Sequence, residues 1–143
     1  MASPTFFQQF KENLGKGVHN FTASGSSCAI TVALCAAASA PVATNSVLAD
    51  LTTISYTNLS SRVVTGVTWE HTTGTATMTA TDLVLSASGG AVATFRYIVL
   101  FDDTPTSPAD PLICFYDYGS NLTLASGESL TLDFGASGIL TLA

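Results

Sequence analysis

Apolar and polar residues alternate in short runs along most of this chain. In 75–81, Met78 and the alanines occupy even positions and threonines occupy the odd ones. A period of two is typical of a half-buried β-strand. About eight such runs at regular spacing predict an all-β domain, specifically a jelly-roll-like antiparallel β-sandwich. The predicted strands are 29–34, 63–71, 75–81, 83–87, 95–101, 112–118, 128–134 and 139–142.

Two details of the pattern refine this prediction. Apolar positions are even before Thr81 and odd after Asp82, and a strand cannot exchange its faces without an extra residue. We therefore predict a bulge or a break at these two residues. The run 95–101 is apolar on both faces, which indicates a central strand.

We also predict tight turns at 72–74 and 119–121, where glycine follows polar or aromatic residues.

The N-terminal segment has the best helical pattern of the chain. Ser3 can cap a helix, and Pro4 suits its first position. The apolar stripe of the predicted helix consists of Phe6, Phe7, Phe10 and Leu14. A helix this short is not stable alone in water, so it must pack on its own domain or on a neighbouring subunit. We treat 1–20 as a helical arm of one domain, 1–143.

The composition favours a role in an assembly. Charged residues make up 10% of the chain, its mean hydropathy is +0.42, and it contains 21 Thr and 16 Ser. A surface with so few charges is often covered by partners, although a soluble monomer covered by Thr and Ser is the alternative. The net charge is −6 with four basic residues, which excludes the cationic clusters that nucleic acids and anionic membranes require. The most apolar run, 28–43, is too short for a membrane span, and no secretory signal is expected.

The sequence contains no recognisable catalytic motif. Neither a nucleophile elbow, a pair of histidines at zinc spacing nor a phosphate loop is present, so we predict no enzyme and no cofactor. The three cysteines, Cys28, Cys35 and Cys114, are interpreted as buried thiols. His71 is expected to be a core or interface histidine. The loop 102–111 carries Asp102, Asp103 and Asp110, which we interpret as a solvated acidic loop, with a calcium site as the alternative. A sugar-binding platform remains a further alternative, formed by Trp69, Tyr97, Tyr116 and Tyr118.

Several stretches also resemble a known family. They are 10–19 with Gly15-Lys16-Gly17-Val18-His19, 40–50 with Ala40-Pro41-Val42-Ala43-Thr44-Asn45, the strand 95–101, 110–120 with Tyr116-Asp117-Tyr118-Gly119-Ser120, and 127–134. Together they resemble small virion proteins encoded in the structural-gene regions of tailed bacteriophages, over nearly the whole chain. Residues 28–38 are richer in Cys and Ala than in that pattern, and 57–64 have fewer glycines.

The resemblance implies a head cement or decoration protein. Such a protein is assembled in the host bacterial cytoplasm, lies on the virion head surface, and binds the major capsid protein as a homodimer or homotrimer. It has no catalytic residues. We expect its interfaces on the helical stripe and on the last strand, at Phe6, Phe7, Phe10, Leu14, Ile139, Leu140 and Leu142. The alternatives are a phage tail, neck or fibre component and a carbohydrate-binding β-sandwich module.

Overall fold

The fold is an all-β sandwich with a short N-terminal helix, as the alternation predicts. The computed structural model describes residues 2–21 and 29–143. Within these residues there are nine strands rather than about eight, and all named strand pairs are antiparallel. The strands are β1 (Thr5–Phe6), β2 (Ile30–Cys35), β3 (Thr68–Thr72), β4 (Thr75–Thr79), β5 (Leu83–Ser86), β6 (Phe95–Asp102), β7 (Leu112–Leu122), β8 (Ser129–Leu132) and β9 (Leu140–Leu142). Helix α1 (Gln8–Gly15) follows β1, and the one-turn 3₁₀ helices Ala37–Ser39 and Leu48–Asp50 follow β2.

Three sheets share one hydrophobic core. Their strand orders are β1-β7-β6-β2, β3-β4-β9 and β5-β8. Strand β6 is a central strand, as its two apolar faces predict, and Ile98 and Val99, which point to opposite faces of the sheet, are both buried. Met78 of β4 and Leu85 of β5 belong to the same buried cluster as these residues. Burial of such side chains is the main favourable contribution to folding, at about 25 cal/mol for each Å² of apolar surface.

The predicted irregularity at Thr81 and Asp82 is a break between sheets. Strand β4 ends at Thr79 and pairs with β3 and β9, whereas β5 begins at Leu83 and pairs with β8. The carboxylate of Asp82 accepts a hydrogen bond from the backbone N–H of Phe134, at 3.0 Å. The change of parity therefore marks the point where the chain passes from one sheet to another.

One of the two predicted turns is correct and the other is wrong. Thr73 and Gly74 have positive φ values of 49° and 85° and join β3 to β4 as a two-residue hairpin. The predicted turn at 119–121 instead lies inside β7, which continues to Leu122 and pairs there with Phe95. Glycine was a misleading signal here, because the strand continues past it. Between two of its pairings with β6, β7 has more residues than β6, and the register of the pair shifts at this point.

The predicted helix start is also wrong. Thr5 and Phe6 are extended and pair with Phe115 and Cys114 of β7, so α1 begins only at Gln8 and has no side-chain cap. The edge of β7 supplies hydrogen-bond partners to this segment, and that tertiary pairing overrides the local helical pattern. Phe7 is fully buried in the core of its own chain. Of the two packing interpretations, the structure therefore shows the arm docked on its own domain.

Gly138 provides a test of how tightly the last strand is held. Its φ is +75°, and a Cβ placed there would overlap the carbonyl oxygen of Met78, whereas Gly127, with φ +90°, has open space around it. Both alanine substitutions should lose about 1–2 kcal/mol from the positive φ. Gly138→Ala should lose a further ~1–3 kcal/mol, because the backbone of β4 must move. Urea unfolding of both variants measures the difference, and equal losses would show that the approach of β9 to β4 is not tight.

Candidate interaction surface

An apolar groove lies between the N-terminal arm and the last strand. Its volume is about 680 Å³. The arm contributes one wall and β9 the other, with side chains of Phe6, Phe10, Lys11, Leu14, Leu140 and Leu142, and with Gly15 and Thr141 completing the lining. We call this feature the β9 groove. It brings together the two segments, at opposite ends of the sequence, from which the expected interface residues come.

The seven expected interface residues occupy different environments. Phe7, Phe10 and Ile139 are 0%, 2% and 4% exposed and belong to the core of the chain itself. The half-buried residues are Phe6, Leu14 and Leu140, and Leu142 is 52% exposed. The buried three hold the arm and the strand in place, and the other four remain candidates for contact with a partner.

Strand pairing explains why the two leucines of β9 face the groove. Leu140 is opposite Met78, and Leu142 is opposite Ala76. Residues opposite each other on antiparallel strands point to the same face, so both leucines lie on the face of the fully buried Met78. On the arm, the rings of Phe6 and Phe10 stack with their centroids 5.6 Å apart.

The outer edge of β9 is open. Its sheet has the order β3-β4-β9, so no strand of the described part of the chain pairs with this edge. An unpaired edge next to an apolar groove is the arrangement that accepts an added strand, because backbone hydrogen bonds and alternate side chains are both satisfied.

The β9 groove is almost free of charge. Lys11 is its one ionisable lining residue. The next lysine of the arm, Lys16, forms an ion pair with Glu12, and this pair lowers the pKa of the Glu12 carboxyl. A partner segment that enters the groove therefore meets no carboxylate, which favours an apolar, uncharged partner surface.

A buried His–Asp pair fixes the end of the arm. Nδ1 of His19 lies 3.1 Å from the carboxylate Oδ2 of Asp102, and both side chains are fully buried. Asp102 is the last residue of β6, and its other carboxylate oxygen accepts from the backbone N–H of Thr104. The His19 ring packs 5.3 Å from Phe10 and stacks on Phe21 at 5.4 Å. The pair therefore joins the arm that forms one wall of the groove to the central strand.

This pair was not predicted from the sequence. Asp102 was expected in a solvated loop and is instead 0% exposed. His71 is exposed on β3, so it is not a core histidine, and its alternative role at an interface stays a prediction. The alternation along the strand does indicate the burial of Asp102, because this residue is at an even position, like the buried Ile98 and Leu100. Extending the strand by one residue would have placed this carboxylate inside.

The remaining acidic residues do not form a metal centre. Burial raises the pKa of Asp110, and a hydrogen bond and the charge of Asp103 raise it further. Asp117 is engaged by Arg96 through two bonds of 2.7 and 2.8 Å. Among residues 2–21 and 29–143, no group of three or more His, Cys, Asp or Glu side chains could hold a metal ion.

The described cysteines are not positioned as nucleophiles. Cys35 and Cys114 are buried free thiols, and burial raises the pKa of Cys35 to about 11 and that of Cys114 still further. Cys28 lies outside the described residues. Nε2 of His19 is buried and has no hydrogen-bond partner, so this histidine does not activate a hydroxyl or thiol in the structure.

The four aromatic residues of the sugar-platform alternative do not form one surface. Tyr116 is buried and shares a face of the sheet with Ile98, whereas Tyr97 is on the opposite face, next to Phe115. Trp69 is in a different sheet and packs on Phe21. The exposed Tyr118 is therefore not part of a continuous aromatic platform.

Comparisons with protein-family models, with curated proteins and with solved structures found no significant match to the chain. In the part of the chain that the structure describes, no helix has the length and apolar character to cross a membrane.

Two Asp-to-Asn substitutions test the role of the buried pair: one at Asp102, which contacts His19, and one at Asp117, which contacts Arg96. Asp102→Asn should lower the free energy of unfolding by about 2 kcal/mol, because an amide oxygen is a weaker acceptor than the carboxylate for the buried contacts with His19 and with the backbone N–H of Thr104. Asp117→Asn is the matched control, since its pair with Arg96 is 42% and 32% exposed and should contribute far less to stability than the buried contact. Urea unfolding measures both. A loss at Asp102 no larger than at Asp117 would contradict a supporting role for the buried pair.

Proposed function

We propose that this chain is a structural virion protein, a cement or decoration protein that binds the outer surface of a tailed-phage head and stabilises capsid subunits. The observation that carries the proposal is the β9 groove, an open apolar surface with an unpaired strand edge on a chain with few charges. In this proposal the chain acts by assembly and not by catalysis.

The groove supports assembly because an isolated monomer would leave its apolar walls and the unpaired edge of β9 exposed to water. Leu142 exposes half of its surface beside an open edge, and apolar side chains form both walls of the groove. Proteins protect strand edges from chance pairing with charges, prolines or covering segments. The sequence Leu140–Leu142 contains no charge and no proline, which leaves this short edge open to a partner strand.

The described residues also support a non-enzymatic role. The buried thiols have raised pKa values, and the buried histidine is paired with Asp102 and not with a nucleophile. Cys35, Cys114, His19 and Asp102 are thus placed in the core, where they contribute to packing and to one buried polar contact.

The low charge of the chain supports a role on the surface of a phage head. Surfaces of Thr, Ser and Ala make close contacts without the cost of removing charged groups from water. Each contact is weak, and repetition over a shell multiplies its effect through effective concentration. The major capsid protein is the partner in this proposal, with further copies of the chain around it.

The composition of virions tests the proposal. In particles of the phage that encodes this chain, quantitative mass spectrometry should find the protein in numbers comparable to the major capsid protein, and imaging should place it on the outer head surface. Numbers comparable to those of tail-tip proteins would instead indicate a tail, neck or fibre component. Absence of the protein from purified virions, or a chain encoded outside any phage genome, would overturn the proposal.

A further inference from the structure

We propose that two copies of this chain pair through β9 across a two-fold axis, so that the two β3-β4-β9 sheets become one continuous sheet. This inference rests on the geometry and charge of the strand edge and does not depend on a virion role. It names the occupant of the β9 groove as a second copy of the same chain.

The sequence of β9 is self-complementary. Leu140-Thr141-Leu142 reads the same in both directions. An axis through Thr141 sets this residue opposite its own counterpart and sets Leu140 opposite the partner's Leu142. Two-fold interfaces require a patch that fits itself, and an antiparallel pair of identical strands meets this requirement.

The faces of β9 also match in such a pair. Leu140 and Leu142 lie on the groove face, so the exposed Leu142 of each copy contacts Leu140 of the other and covers the mouth of the groove. Thr141 also borders the groove, but its side chain alternates with those of the two leucines and shares the face of Thr77, its partner on β4. There the two copies of Thr141 form a cross-strand pair, which is a favourable combination in sheets.

Charge favours β9 over the other edge of the same sheet. Strand β3 exposes Glu70, and a symmetric pair there would bring carboxylates of a chain with net charge −6 close together. A charge on an edge strand is a known protection against pairing. Strand β9 carries no charge, and the groove beside it contains no carboxylate, so two acidic chains can approach at this edge.

A cysteine placed on the axis tests the geometry. Opposed residues of antiparallel strands have Cα atoms about 4.5–5.5 Å apart, within the range that a disulfide needs. Diamide takes up the two electrons and two protons of two thiols, so Thr141→Cys should convert largely to a disulfide-linked dimer in dilute solution. Thr131→Cys, at an exposed threonine of β8, is the matched control and should remain largely monomeric. Equal cross-linking of the two variants would overturn the proposal.

Sedimentation equilibrium of the full chain gives an independent measurement. The unsubstituted chain should have twice the mass of one 14.7 kDa chain, and Leu142→Lys should shift the mass to that of one chain. Val84→Lys is the matched control, because Val84 is 48% exposed on β5, close to the 52% of Leu142, and it should stay dimeric. Circular dichroism checks that both variants are folded.

Each contrary result has a definite meaning. A monomeric unsubstituted chain, a trimer, or a Leu142→Lys variant that remains dimeric would overturn the β9 dimer. If the free chain is monomeric and Leu142→Lys abolishes its attachment to phage heads, another protein's strand occupies the groove. The dimer would then be wrong while the proposed virion function would stand.

Discussion

The structure depends on one buried electrostatic contact between the start of the chain and its central strand. His19 and Asp102 are fully buried and lie 3.1 Å apart. Burying two such polar groups costs free energy that is recovered only where the groups hydrogen-bond in a suitable geometry. The backbone N–H of Thr104 satisfies the second carboxylate oxygen. The contact therefore ties the end of the arm to the end of β6, in addition to the pairing of β1 with β7.

Fixing the arm in this way creates the apolar surface from which the functional proposal starts. Phe10 packs on His19 and on Phe6, so α1 lies beside β9 and the two elements enclose a groove. Without the arm, β9 would be an edge strand of three residues with little around it. With the arm, the edge gains a wall of aromatic and aliphatic side chains. The position of the arm and the shape of the β9 groove thus depend on the same contact.

The parts of this fold that were predictable are those that local alternation determines. The central position of 95–101 and the break at Thr81 followed from parity alone, because a strand has a period of two. The helix start was wrong, since pairing of Thr5 and Phe6 with β7 is a non-local contact that no local pattern contains. The groove was not predictable for the same reason, although residues from both of its walls were identified separately. The alternation of positions in β6 also predicts that Asp102 is buried, but this residue was assigned to the loop.

Hydrogen exchange of Asp102→Asn, measured by mass spectrometry, tests most directly whether the buried pair positions the arm. If it does, amides of Gln8–Gly15 should exchange much faster in the variant than in the unsubstituted chain, while β6 and β7 keep their protection. Unchanged protection of Gln8–Gly15, or a uniform loss over all strands, would contradict the account, because the arm would then be held by general packing and not by this pair.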